Sequence, residues 1–421
     1  MGADKQYDGY QPYDYLRGGE DYRDFELTSK TAGFEPRELP LSEEEESRVA
    51  ELTEGTVLSL HEHAFQFPAD IDEDLFDYIR EGRIHTAYEF LAETSLDAVF
   101  DMQLDGLSSV HSLHGWKWDD ISHEVSMRAC DLIHSEYAFQ CRSVDDIHRA
   151  REEGKIAVVQ CVESAAMIEN ELDRIEQLYG MGVRSMGITY NTSNALGTGG
   201  GDIHERDGGL TGFGARAVGR MNDVGMAVSV SHASPQTSLD VCEVSEKPVF
   251  DTHALAKGAG MGARGTSDEV FEAIADTGGV VGLLSSTHLP DIETYMEHFE
   301  YVVELIGIDH VAFRAGRALR RPHRTPARAL LVPRHGTARV NAPERVRRRP
   351  GEPDRGVAEH PALAGRERLQ RRRNSKSARG KRPGDAGTGL VTRSPRVRSL
   401  RGFSGSQGPG ASHVIWTATI S

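Results

Sequence analysis

The chain has 421 residues, enough for one large or two ordinary domains, and 38% of them are hydrophobic, which is ample for a core. Its formal net charge of −17 averages two unlike parts: residues 1–313 carry 22 Lys and Arg against 59 Asp and Glu, whereas residues 314–421 carry 26 against 6. The sequence contains no apolar run of membrane-spanning length and no basic-then-apolar N-terminus, which excludes a membrane span and a usual signal peptide. We therefore expect a cytoplasmic protein without a membrane partner.

Two compositional features refine this expectation. Acidic residues are spread along residues 1–313 and lysine is scarce there, a pattern typical of proteins that stay soluble in salt-loaded cytoplasm. The four cysteines lie in separate segments without CxxC spacing, which favours buried, reduced thiols over disulfides or a cysteine zinc site. The acidic composition thus predicts a halophilic enzyme, and the cysteine spacing predicts reduced thiols.

In chain order, residues 1–50 are polar and end in an acidic run, which predicts a solvated leader or a peripheral cap. A strand–helix alternation then begins at Thr56 and continues to Phe313. The predicted strands span residues 56–61, 98–104, 155–162, 183–190, 225–231, 248–252, 279–284 and 309–313. Helical patterns between them span residues 168–179, 215–224, 267–276 and 291–306.

Eight strands alternating with helices over about 260 residues predict a (β/α)8 TIM-type barrel of the metal-dependent hydrolase kind, with residues 51–313 as its domain. An open nucleotide-binding sheet is disfavoured because no GxGxxG follows the first strand. The glycine cluster at 197–201 opens no helix and is interpreted as a flexible active-site loop.

Polar residues fall at the carboxyl ends of these strands, where a barrel places its chemistry. The first strand ends in His61-Glu-His63, and alternation directs both histidines to one side. The third is followed by Glu163, and the fifth and sixth lead into His232 and His253. A single histidine on an apolar strand is usually a hydrogen-bonded core residue, but four histidines and a glutamate at one end of a barrel predict a metal site.

At these residues the sequence resembles the membrane (renal-type) dipeptidase family of zinc hydrolases, from about residue 56 to residue 313. The most specific segments are GLTGFG at 209–214, MNDVGM at 221–226, SHAS at 231–234 and the stretch 253–264. The resemblance implies a barrel with two zinc ions and a bridging water that acts as the nucleophile in cleaving dipeptides.

Carried over position by position, the resemblance makes His61 a ligand of the first zinc and Glu163 the carboxylate that bridges both ions and positions the water. It makes His232 and His253 the ligands of the second zinc. Arg264 matches the arginine that holds the substrate carboxylate, a role that suits the guanidinium fork. A solvated loop arginine is the simpler alternative for that position.

Two positions depart from the family pattern. The family has a carboxylate where this chain has His63, and because imidazole also binds zinc we expect His63 to be a ligand in a site more positive by about one charge. The family has a substrate-polarising histidine where this chain has Tyr190, whose phenol could donate a hydrogen bond to an oxyanion. Both changes make substrate choice an open question.

After Phe313 the family-like pattern stops. The family continues with a loop that carries a functional aspartate, whereas residues 314–421 are rich in Arg, Pro and Gly and offer no counterpart. Three interpretations remain: a basic nucleic-acid-binding tail, a disordered linker, and the product of a reading-frame shift.

The frameshift hypothesis can be tested on the sequence itself. Permitted codons can be chosen for residues 313–326 such that removing one nucleotide after the Phe313 codon makes them encode FGPDALFGDHTGL, which restores an aspartate. The same shifted register allows the codons of residues 352–365 to encode NPTEAWPNIPRWL. We therefore interpret residues 314–421 as a disordered frameshift product and expect the last loop and helix of the barrel to be missing or disordered.

The sequence thus predicts a zinc-dependent metallo-dipeptidase with two zinc ions and a small peptide or amide substrate, impaired by its aberrant C-terminus. Nucleic acid is not expected as a partner, and a homodimer is a candidate assembly. The alternatives are a related amidohydrolase acting on another amide or a lactone, and a non-catalytic metal-binding relic with a basic tail.

Overall fold

The structure is a computed structural model that describes residues 5–28, 41–103, 117–203, 206–262, 265–284, 289 and 291–314. Its strands are β1 Leu58–Glu62, β2 Ala98–Gln103, β3 Ala138–Gln140, β4 Ile156–Val162, β5 Ser185–Gly187, β6 Ala227–Ser229, β7 Val249–Ala254, β8 Val280–Leu284 and β9 Val311–Arg314. Its α-helices are α1 Glu43–Leu52, α2 Ile71–Glu81, α3 Tyr88–Ala92, α4 Trp118–His134, α5 Val144–Glu153, α6 Asp173–Met181, α7 Gly212–Val224, α8 Pro235–Val244, α9 Asp268–Asp276 and α10 Ile292–Ile306.

The strands form one parallel sheet in the order β1-β2-β4-β5-β6-β7-β8-β9. The two end strands, β1 and β9, contact each other, so the eight strands make a nearly closed barrel. This confirms the predicted (β/α)8 fold class. Each of the eight predicted strands has a counterpart, with boundaries displaced by a few residues.

Strand β3 is the addition that the sequence pattern did not predict. It has three residues and pairs with the beginning of β4, whereas β5 pairs with the end of β4. Three residues are too few to establish a period of two, which explains why no strand was predicted there. Strand β4 accordingly has neighbours along its whole length, and all seven of its residues are buried.

The barrel interior is filled by side chains. Phe100 of β2 and Phe250 of β7, which are not neighbouring strands, bring their ring centroids within 6.4 Å of each other. Outside the sheet, helices bury apolar faces against it, as α9 does with Val270, Phe271 and Ile274. The barrel interior is therefore a packed core.

The N-terminal segment 5–28 packs against the barrel through Asp131 of α4. This carboxylate accepts hydrogen bonds from the hydroxyls of Tyr10 (2.8 Å) and Tyr88 (2.7 Å) and from the backbone N–H of Tyr13 (2.8 Å). Tyr13 itself is buried. The predicted domain boundaries at residues 50 and 313 remain predictions, and residues 315–421 lie outside the described part of the chain.

Among the helices of the described residues, none combines the length and the apolar character that crossing a membrane requires.

Candidate metal centre

Three imidazoles and one carboxylate meet at the carboxyl ends of strands β1, β4, β6 and β7. Glu163, the residue after β4, places its Oε1 atom 3.7 Å from His61 Nε2, 3.3 Å from His232 Nε2 and 3.8 Å from His253 Nε2. The exposed fractions of these four side chains are 1% for His61, 6% for Glu163, 8% for His232 and 7% for His253. Three imidazole nitrogens therefore converge on one buried carboxylate oxygen.

Backbone irregularities aim two of these histidines. The β1–β2 register shifts between Ser59 and Glu62, and the β7–β8 register shifts between Asp251 and Ala254. His61 and His253 lie within these two interruptions. Such bulges re-aim side chains beside active sites because they break the simple alternation of a strand.

His232 is held in an unusual conformation by the loop that follows β5. Its φ of 63° is in the left-handed region, as is the φ of 53° at Asn191. The Oδ1 atom of Asn191 lies 2.9 Å from His232 Nδ1, and the N–H of Gly200 donates to the His232 carbonyl oxygen at 2.7 Å. These contacts offset the local backbone strain and orient the imidazole.

The glycine cluster at 197–201 lies at the site, as expected, but its glycines serve close packing. A Cβ atom at Gly199 would collide with the carbonyl oxygen of Asn191. Gly199 also forms an isolated antiparallel β-bridge with Ala233, the residue after His232. The cluster is therefore packed against the segment that carries this histidine, which differs from the flexible loop that the sequence suggested.

Buried polar side chains contact the Nδ1 atoms of two of these histidines. The hydroxyl of Thr252 lies 3.0 Å from His61 Nδ1 and 3.1 Å from His253 Nδ1. Ser231 contacts the same hydroxyl at 3.0 Å and donates to Asp251 Oδ1 at 2.8 Å. Burial raises the pKa of the Asp251 carboxyl, and the hydrogen bonds that it accepts from Ser231 and from the His253 N–H oppose that rise.

The two residues that depart from the family pattern also lie beside this cluster. His63 has its ring centroid 5.1 Å from that of His61, and its Nδ1 lies 3.1 Å from the carbonyl oxygen of Met102. Tyr190 stacks on His232 with ring centroids 4.2 Å apart and 31° between the planes. Both side chains are half-buried.

The donor set suits a divalent metal. One nitrogen or oxygen from each of His61, Glu163 and His253 lies within 4.8 Å of the others. Two imidazoles and a carboxylate are the ligands that zinc accepts in hydrolytic sites, and burial with few competing groups favours binding. The residues present therefore fit a metal ion.

Comparison with known proteins identifies the family. An uncharacterized protein from the pqqA 5′ region of Klebsiella pneumoniae is 31% identical over 186 residues, which are 41% of this chain and 69% of that protein. The sequence profile of membrane dipeptidases, peptidase family M19, matches residues 126–316. The chain belongs to the membrane dipeptidase family.

A dipeptidase relative and a solved structure are also similar to this chain. An uncharacterized dipeptidase from Schizosaccharomyces pombe is 28% identical over 198 residues, which are 45% of this chain and 48% of that protein. The chain thus spans about half the length of this relative. The crystal structure of an amidohydrolase from Pseudomonas aeruginosa has a TM-score of 0.51 and 28% identity, and the alignment covers 66% of this chain and 78% of that one.

Within this dipeptidase-family barrel, the structure brings together His61, Glu163, His232 and His253, with His63 and Tyr190 beside them. Arg264, the predicted substrate-binding residue, lies outside the described residues. The structure adds supporting residues that sequence reasoning missed, among them Asn191 and Thr252. Their position in the sequence could have pointed to them, because Asn191 directly follows Tyr190 and Thr252 directly precedes His253, two predicted site residues.

Proposed function

We propose that the protein is a zinc-dependent dipeptidase that binds two metal ions and hydrolyses small peptide bonds. The observation that carries this proposal is the convergence of three imidazole Nε2 atoms on Glu163 Oε1 at the carboxyl end of a membrane-dipeptidase barrel. His61, His63, Glu163, His232 and His253 would hold the two metal ions. When bound, these ions would supply Lewis-acid polarisation of the scissile carbonyl and activation of water at neutral pH.

The protein's own groups have distinct roles in this proposal. The Glu163 carboxylate, reached by all three imidazoles, holds the attacking water in place. The phenol of Tyr190 donates a hydrogen bond to the oxygen of the scissile carbonyl as negative charge develops there. Its ring, stacked on His232, fixes the direction of that donor. Arg264 binds the carboxylate of the substrate.

A second candidate is hydrolysis of another amide or of a lactone. The similarity to the Pseudomonas aeruginosa amidohydrolase favours it, as do His63 and Tyr190 at positions where dipeptidases carry other residues. A histidine in place of a carboxylate makes the site more positive, which favours substrates with a negative group near the scissile bond. Dipeptides, N-acyl amino acids and lactones therefore belong in one assay panel.

The C-terminal part of the chain enters the proposal as a cause of impairment. The family profile ends at residue 316, close to the point where the residues become rich in Arg and Pro. We propose that residues 314–421 derive from a shifted reading frame and that the chain lacks the aspartate of the eighth loop. A cytoplasmic location, adaptation to salt and a homodimeric assembly complete the proposal, the first two supported by the composition.

The decisive experiment compares three zinc-loaded proteins on the substrate panel: the chain as given, the frame-restored protein, and the frame-restored protein with Glu163→Gln. Dipeptide hydrolysis by the frame-restored protein, weak activity of the given chain and none with Glu163→Gln are expected. Hydrolysis of lactones alone would favour the second candidate. A frame-restored protein that binds zinc but cleaves nothing in the panel would contradict both candidates.

A further inference from the structure

We propose that the N-terminal segment 5–28 is a strap that holds the loop after His61 and His63 in place, and that it thereby contributes to zinc affinity from outside the metal centre. The inference rests on the proposed metal site and deepens it. The first residues of the strap contact the residues that directly precede β2 and β4, and its last residues contact the loop that follows β1. Because these two regions lie at opposite ends of a parallel barrel, the strap spans the height of the barrel.

The first attachment lies at the amino end of the barrel. The Lys5 ammonium donates to the carbonyl oxygen of Lys155 at 3.3 Å and lies 3.7 Å from Asp97 Oδ1. The backbone N–H of Gln6 donates to the carbonyl oxygen of Gly154 at 2.8 Å. The Lys5 side chain is only 17% exposed, so this end of the strap is held more firmly than a freely solvated ion pair would hold it.

The middle of the strap is anchored to two helices. Asp131 of α4, which is 0% exposed, accepts hydrogen bonds from the Tyr10 hydroxyl and from the Tyr13 backbone N–H, both at 2.8 Å. Tyr13 has a φ of 58° and is 1% exposed, and a residue with a side chain persists in this strained region only when its surroundings fix it. Further along, Arg23 Nη1 lies 2.7 Å from Glu81 of α2.

The last residues of the strap pair with the loop that follows β1. The backbone N–H of Thr28 donates to the carbonyl oxygen of Phe67 at 2.8 Å, and the N–H of Ala69 donates to the carbonyl oxygen of Glu26 at 2.7 Å. These two hydrogen bonds make one antiparallel bridge. The strap therefore fixes the backbone of the loop four residues after His63.

Two buried rings connect this bridge to His63. The ring centroid of Phe67 lies 4.7 Å from that of Phe65, which lies 5.9 Å from that of His63. Phe65 and Phe67 are 1% and 5% exposed, and close-packed buried side chains do not shift independently. Fixing Phe67 thus restricts Phe65 and, through it, the His63 imidazole.

The strap is the second of two supports for this loop. The first support is the segment before α3, where the N–H of Gln66 donates to the carbonyl oxygen of His85 at 2.8 Å and the N–H of Ala87 donates to that of Ala64 at 3.0 Å. Loosening the strap leaves this first support in place. We therefore expect the loop to remain attached while Phe67 becomes mobile, which lowers zinc affinity without unfolding the barrel.

The test uses zinc and the full chain, and it first weakens the bridge. Thr28→Pro removes the N–H that donates to Phe67, and the extended conformation that proline favours at Leu27 suits a residue in a bridge. We expect faster exchange of the Ala69 amide with solvent, while the amides of α9 stay protected. Zinc affinity, measured by competition with a chromophoric chelator, should fall about 2–10-fold, the worth of one hydrogen bond in an equilibrium constant.

The second variant repairs the bridge with a disulfide, by adding Leu27→Cys and Pro68→Cys to Thr28→Pro. Leu27 and Pro68 are the bridge partners, and opposed residues of this kind have Cα atoms about 4.5 Å apart, a separation that a disulfide can span. In the oxidised form we expect zinc affinity to return to the native value. A general packing defect would not be repaired in this way.

The outcomes separate the strap from the metal site. If the native chain binds no zinc, the proposed metal site fails. If the native chain binds zinc, the inference about the strap fails in either of two cases: when Thr28→Pro leaves Ala69 exchange or zinc affinity unchanged, and when the oxidised disulfide does not restore the lost affinity.

Discussion

The buried guanidinium of Arg128 is the most informative position for testing how the barrel supports the site. Its Nη2 lies 2.9 Å from Asp101 Oδ2, with both side chains at 0% exposure, and its Nη1 donates to the carbonyl oxygen of Ile84 and to the hydroxyl of Thr86. Asp101 Oδ1 in turn accepts the backbone N–H of Ala64 at 3.1 Å, the residue after His61-Glu-His63. The ion pair therefore connects α4 to the segment that follows two site histidines.

Replacing Arg128 by Met should strongly destabilise the protein. The substitution leaves the Asp101 carboxylate buried without its cation, and breaking a buried pair from one side costs about 3–5 kcal/mol of unfolding free energy. Combining Arg128→Met with Asp101→Asn removes the uncompensated charge and keeps an oxygen that can accept from Ala64. The double variant should therefore be more stable than Arg128→Met alone.

The assay is urea unfolding followed by circular dichroism, with the free energy of unfolding extrapolated to water. Arg80→Met serves as a control, because Arg80 is a partly exposed arginine whose contact with Asp120 is 3.9 Å long, and such pairs contribute about 0–1 kcal/mol. A loss below about 1 kcal/mol for Arg128→Met would refute the reasoning, since that is the range of an ordinary surface change. A double variant as unstable as the single one would refute the assignment of the cost to Asp101.

Three further predictions concern charge and the site. Burial raises the pKa of the Glu124 carboxyl from 4.5 to about 7. Between pH 4.5 and about 7, the folded protein therefore keeps a proton on Glu124 that the unfolded chain has lost. The free energy of unfolding consequently falls as the pH rises through that range. Glu124→Gln should flatten this dependence, by about 3 kcal/mol at most, in urea unfolding from pH 5 to 8. His63→Ala should lower the bound zinc measured by mass spectrometry, and an unchanged metal content would exclude His63 as a ligand. Tyr190→Phe in the frame-restored protein should keep zinc and lower kcat by up to about 10²–10³-fold; an unchanged kcat would remove the phenol from the reaction.

The architecture could be predicted because it depends on repeated local patterns. Apolar runs such as β4, buried at all seven positions, alternate with helices, and the parallel barrel follows from that alternation. The convergence of His232 and His253 beside Glu163 could be expected for the same reason, since the carboxyl ends of successive strands meet at one end of a barrel.

What the sequence pattern could not supply is the fine geometry. The bulges at His61 and His253 break the alternation on which strand patterns rest, and the positive φ of His232 is rare for a residue other than glycine. The support from Thr252 crosses the barrel interior to reach His61, 191 positions away in sequence. Such contacts are set by tertiary packing, so the sequence neighbourhood of His253 can suggest Thr252 but cannot specify what it contacts.

The same geometry separates metal binding from substrate handling. The Nε2 donors and the groups that orient them, Asn191 and Thr252, all come from strands β1 to β7 and their loops. In the proposed reading-frame shift, this chain replaces the loop after the eighth strand, and with it the aspartate that we expect there from the family. Zinc affinity should therefore be nearly equal in the given chain and in the frame-restored protein, while kcat differs widely between them. A given chain that bound zinc more than about tenfold more weakly, equivalent to about 1.4 kcal/mol, would show that the eighth loop also supports the metal.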